Sequence, residues 1–120
     1  MELERIRRVL AERAMEWKPE RSLTSTWYAS KDGLDYRISD AKYAGLMLTS
    51  SDWHPDTDWQ QCGWVIKKMR EKEWGFRFHS DIDGPVVAIF WKGCEVNAKH
   101  DKFCYAVALA AARALEATDG

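Results

Sequence analysis

The stretch Pro85-Val86-Val87-Ala88-Ile89-Phe90-Trp91 is apolar at nearly every position, the pattern of a strand covered on both faces. On either side of it the pattern changes to strict alternation. Trp74, Phe76 and Phe78 alternate with Gly75, Arg77 and His79, while Cys94, Val96 and Ala98 alternate with Glu95, Asn97 and Lys99. Each of these reads as a strand with one buried face. Asp81-Ile82-Asp83-Gly84 and Lys92-Gly93 supply the turns. One covered strand between two half-covered ones implies an antiparallel meander with helices on both faces. The fold class expected is therefore α/β (α+β), an α/β/α sandwich around a mainly antiparallel sheet.

The helices follow from period. Leu3, Ile6, Leu10, Ala14 and Trp17 recur at three- and four-residue steps, predicting a helix over 2–17 that Pro19 stops. A second helix is expected after His54-Pro55-Asp56-Thr57-Asp58, with Thr57 and Gln60 forming a capping box and Asp58 adding negative charge to the first turn. Its stripe is Trp59, Cys62, Ile66 and Met69, with Val65 beside it, and Gly63 suggests close packing. Asp101 is placed to cap a third helix over 102–117. That helix is apolar nearly all round and rich in alanine, so it should be the most buried element. Residues 20–55 are less regular. Thr24–Ala29 and Leu34–Ile38 have strand composition around a Ser30-Lys31-Asp32-Gly33 turn, and Ala41–Ser51 reads equally as a helical turn or a strand.

A chain of 120 residues has room for one domain, 1–120. Eighteen basic residues against nineteen acidic ones argue against a nucleic-acid partner held by bulk charge. Lys67, Lys68, Arg70 and Lys72 with Trp74 nearby make a basic edge, but Glu71 and Glu73 interrupt it. No apolar run reaches the roughly 20 residues of a membrane span, and the charged N-terminus does not read as a signal peptide, so a cytoplasmic location is expected. Cys62, Cys94 and Cys104 lack paired spacing and read as buried thiols in a reducing compartment.

Three pieces, read together, resemble the phage ABA-sandwich domain family and related NinX-like proteins of phages and prophages. They are the opening helix ending Ala14-Met15-Glu16-Trp17-Lys18, the cap Pro55-Asp56-Thr57-Asp58 with a helix running to Val65-Ile66-Lys67-Lys68-Met69, and Val96-Asn97-Ala98-Lys99 followed by Asp101 and an alanine-rich helix ending Arg113-Ala114-Leu115. The last two span roughly 55–115, about half the chain. This chain departs from the family pattern at the second helix, where the family's Trp falls one place before Trp64, at Gly63, and in the irregular stretch 20–54. The resemblance implies an α/β/α sandwich and a phage or prophage setting in a bacterial host. It brings no catalytic residues.

No Gly-rich phosphate loop, GxSxG elbow or metal-ligand spacing is present, so no cofactor or metal is expected. His54, Asp56 and Asp58 with His79, Asp81 and Asp83 read more simply as a helix cap and an acidic turn than as a metal or acid–base site. His100-Asp101 reads as a junction. The favoured reading is a non-enzymatic binding module for a host or phage protein or a small ligand. Its binding surface is Trp53, His54, Asp56, Asp58 and Trp59, where rings stack and polar groups orient. Seven tryptophans also fit a homo-oligomer that buries rings between copies. The competing readings are a small hydrolase or nucleotide-modifying enzyme using His54 or His100 with nearby aspartates, and an assembly protein.

Overall fold

A computed structural model describes residues 1–16, 18–20, 35–37, 47–49, 53–80 and 82–118. Helix α1 spans Leu3–Val9 and continues as a π-helical segment, Leu10–Ala14, closed by the Met15 amide on the Leu10 carbonyl at 2.9 Å. In this segment and its cap Leu10, Ala11, Ala14 and Met15 are buried, as are Ile6 and Val9 before them. The helix ends at Glu16, which takes a left-handed φ of 59°, so it stops before Pro19 acts. Pro19 instead sits in strand β1, Lys18–Glu20, at the edge of an antiparallel sheet with β2, Asp35–Arg37, and β3, Met47–Thr49. An edge strand tolerates a residue that lacks an amide proton. The Thr24–Ala29 strand and the Ser30–Gly33 turn lie outside the described residues.

Helix α2 spans Trp59–Glu71 and leads into the meander β4, Gly75–Ser80, β5, Val86–Trp91, and β6, Glu95–His100. The sheet order is β4-β5-β6, all antiparallel, with Phe76 opposite Phe90 and Ala88 opposite Ala98. Helix α3, Phe103–Ala117, closes the chain. The expected α+β architecture with β5 at the centre of an antiparallel sheet is thus present.

The layering is decided by α3. Its small residues Ala106, Ala108, Ala110, Ala111, Ala112 and Ala114 are all buried, together with Val107 and Leu115. It packs on β5 and β6 and also against α1, the π-helical segment and α2. Water is reached by the stripe Tyr105, Leu109, Arg113 and Glu116 and at the two ends of the helix, by Phe103 and Ala117. The enclosed layer is therefore a helix between a sheet and other helices, and alanine's short side chain is what permits that close approach.

Among the described residues the helices stack on the sheet face that carries Phe76, Ala88, Phe90 and Ala98. The opposite face carries Trp91, Arg77 and Glu95. The Trp91 ring lies over Gly75, the Arg77 guanidinium sits 5.3 Å from the Trp91 ring centre, and Arg77 bonds Glu95 at 3.2 Å. Ile89, flanked across the strands by Arg77 and Asn97, is buried without a described helix above it.

Candidate functional site

The second helix begins one residue later than its sequence suggests. Asp58 is the cap, with its carboxylate accepting from the Gln61 amide at 2.9 Å. Gln61 Oε1 in turn accepts from the His54 amide at 2.7 Å. The Thr57–Gln60 capping box is therefore not formed: Asp58 caps the Gln61 amide, while the Gln61 side chain holds the amide of His54 rather than that of the cap, whose N–H goes to the His54 carbonyl. The Thr57 hydroxyl lies 3.2 Å from His54 Nδ1 and takes part in the preceding turn.

Of the five residues expected at a binding surface, Trp53 and Asp56 are buried, His54 and Asp58 are half-buried and Trp59 is exposed. Trp53 is fully buried and its indole N–H donates to the Arg7 carbonyl at 2.8 Å, so its ring is closed to a ligand. Asp56 is buried against the Arg7 guanidinium at 2.8 Å. His54 closes a turn through its carbonyl, which accepts from the Thr57 and Asp58 amides, and Asp58 is the cap. Trp59 alone faces outward, 69% exposed, because the buried stripe of α2 runs through Cys62, Val65 and Met69 and leaves the first residue outside it.

Trp59 is nevertheless fixed. Its ring stacks on Phe103, at the start of α3, with centroids 5.1 Å apart and planes 8° from parallel. Phe103 meets Phe78 edge-on at 4.8 Å. Phe78 neighbours Phe76 at 6.1 Å, and Phe76 leans on the buried Phe90 at 4.9 Å. Five rings from β5, β4, α3 and α2 thus run unbroken from the core to the surface. Phe78 is 55% exposed, so the row presents two open rings at its outer end. Beside them lies a cavity of about 270 Å³ lined by Asp56, Thr57, Trp59, Lys102, Phe103 and Cys104.

No family model, curated protein or solved structure matches this chain. The chemistry of the site rests on its own side chains.

Phe103, Phe78 and Lys102 carry no sequence signal for this role, since alternation assigns Phe78 to a buried face and Lys102 and Phe103 read as the start of a helix capped by Asp101. That cap is also different. Asp101 makes no side-chain cap; the His100 ring accepts from the Lys102 amide at 3.0 Å through Nδ1 and stacks on Tyr105 at 4.0 Å. His100 is thereby turned to the helix start and does not pair with Asp101 as a base with its orienting carboxylate.

The thiols differ from expectation at one position. Cys62 and Cys104 are buried, but Cys94 is exposed in the β5–β6 turn, where Gly93 takes a φ of 74°. Burial pushes the Cys62 and Cys104 thiols up. Among the described residues no three His, Cys, Asp or Glu side chains group to hold a metal ion. No helix among them is long and apolar enough to cross a membrane. Gly63 faces open space on the outer side of α2, so close packing is not its reason for being there.

Proposed function

We propose that the chain is a non-enzymatic binding module whose ligand stacks on Trp59 at the junction of α2 and α3. The carrying observation is that a ring 69% open to water is held within 8° of parallel on Phe103. Exposed indole is ordinarily mobile, and a ring fixed in advance loses little freedom when a planar group settles on it. The adjoining cavity of about 270 Å³ suits a small ligand of one or two rings. Lys102 on its wall favours a ligand that also carries negative charge, because the Asp56 carboxylate beside it is already matched by Arg7.

The resemblance to phage ABA-sandwich proteins supports a phage or prophage accessory role in the bacterial cytoplasm. The same open rings also suit a host or phage protein as partner, or a second copy of the chain.

The test is a thermal-shift and intrinsic-fluorescence screen with planar ring compounds, in matched anionic and neutral forms. Stabilisation and quenching by anionic members, both lost in Trp59→Ala and weakened in Lys102→Ala, are expected. A screen without response, or a response that survives Trp59→Ala, overturns the reading. Light scattering across a concentration series separates the self-association outcome.

A further inference from the structure

His100 holds the start of α3 at two points. Its Nδ1 accepts from the Lys102 amide at 3.0 Å, and its ring stacks on Tyr105 with centroids 4.0 Å apart and planes 19° from parallel. Lys102 is the N-cap of α3 and its side chain makes no cap, so one amide of the helix start is held by an imidazole instead. Phe103, the next residue, carries the ring that lies against Trp59. The imidazole therefore sets how the chain enters α3 immediately before that stack.

A backbone amide can only donate. Nδ1 must keep its lone pair to accept, so this bond exists only for neutral His100 with its proton on Nε2. His54 differs. Its Nδ1 faces the Thr57 hydroxyl at 3.2 Å, and a hydroxyl can donate or accept, so that contact is compatible with either charge state.

We propose that His100 is a proton-operated latch on the aromatic row at the junction of α2 and α3. The latch adds regulation to the site read above and rests on that reading for its purpose. Neutral His100 holds Lys102 and Phe103 in the geometry that lays Phe103 on Trp59. When Nδ1 takes a proton from solvent, two donors face each other, the ring turns away and the start of α3 loosens. The latch is thus closed at higher pH and opens as pH falls.

The surrounding charges act in both directions. A cation at this place meets the positive end of α3, with Lys99 and Lys102 beside it in the chain. Asp101, the face of Tyr105 and Asp83, in the turn at that end of the sheet, favour a cation. Across the sheet His100 is opposite Val86, and Val86 opposite Ser80, neither of which titrates. None of these groups can restore the lost lone pair, so a charged ring stays near Tyr105 only in a turned position.

An NMR titration of the full chain from about pH 8 to about pH 5, without ligand, tests the latch. The Lys102 amide proton should move upfield along the same curve as the His100 ring protons. Cross-relaxation between the Phe103 and Trp59 rings should be lost on that curve. His100→Asn supplies an Oδ1 that accepts from the amide two residues on and does not titrate, so both signals should then hold steady. A Lys102 amide that does not follow His100 overturns the proposal, as does a Phe103–Trp59 contact that persists after the amide has moved. A pH response that survives in His100→Asn overturns it too. Whether planar anions bind is decided separately, by the ligand screen at the upper end of the same pH range.

Discussion

Arg7 holds Asp56 by two bonds, Nε to Oδ1 at 2.8 Å and Nη2 to Oδ2 at 3.2 Å, and its carbonyl accepts the Trp53 indole proton. One residue of α1 thus anchors the segment leading into α2 through both its side chain and its main chain. Asp56 is 2% exposed, so its charge has little water to fall back on. Arg7→Met keeps the apolar stem but strands that carboxylate. A loss of roughly 3 kcal/mol is expected, near the low end for a broken buried pair because Arg7 is itself partly solvated. Urea unfolding of the single variants and of Arg7→Met with Asp56→Leu measures it, and the double variant should recover part of the loss.

Gly63 stands in the interior of α2 with nothing within 4 Å of where a Cβ would be. Gly63→Ala therefore removes backbone freedom from the unfolded chain without crowding the folded one. A gain of about 0.5–1 kcal/mol in the same unfolding assay is expected. A loss would mean that something does occupy that side of the helix.

Glu73, next after the C-cap Lys72 of α2, has a φ of 70°. The Glu73 amide bonds the Arg70 carbonyl and the Trp74 amide the Met69 carbonyl, which is the Schellman arrangement, and the buried Trp74 and Met69 flank it. Glycine suits the left-handed position and glutamate does not. Glu73→Gly is expected to raise stability by about 1 kcal/mol, and Glu73→Val to lower it by a similar amount. Paired thermal melts that rank the three chains in any other order contradict this geometry.

Glu16 also has a left-handed φ, and Lys72 Nζ lies 2.7 Å from its Oε1. That hydrogen bond, and then the Lys72 charge, hold the Glu16 carboxyl below its ordinary range. The folded chain therefore binds this proton less readily than the unfolded chain. The resulting stability is full above the ordinary glutamate range and is lost as pH falls through the lowered folded value. Because the pair is exposed, the effect is under about 1 kcal/mol and fades in salt. Stability measured from pH 7 down to pH 3 should fall less steeply for Glu16→Gln than for the parent; parallel curves would refute it.

Patterning alone reached the order of the elements in the second half of the chain. The alternation of β4 and β6 around the apolar β5, and the alanine-rich α3, are properties of neighbouring residues and survive in the fold. Errors arose where one residue of register mattered. Thr57 and Asp58 are both capping residues by type, and it is the Asp58 carboxylate that accepts from the Gln61 amide, one residue further along than the sequence suggests. Trp53 and Trp59 both looked like surface rings beside a polar helix start, yet one is fully buried and the other 69% exposed. Cys94 continued an alternating pattern in sequence but fell into the turn, where alternation ceases.

Local sequence thus determined which segments of the second half are helices and strands, because periodicity and turn chemistry act over a few residues, while the strands Lys18–Glu20 and Met47–Thr49 were not legible in it. Tertiary contact decided the rest: that Phe103 from α3 lies flat against Trp59 from α2, and that the Trp53 indole reaches the Arg7 carbonyl of α1. These pairings join residues more than 40 positions apart. Their energies come from surfaces that meet only after the chain has closed on itself, so no window of neighbouring residues encodes them.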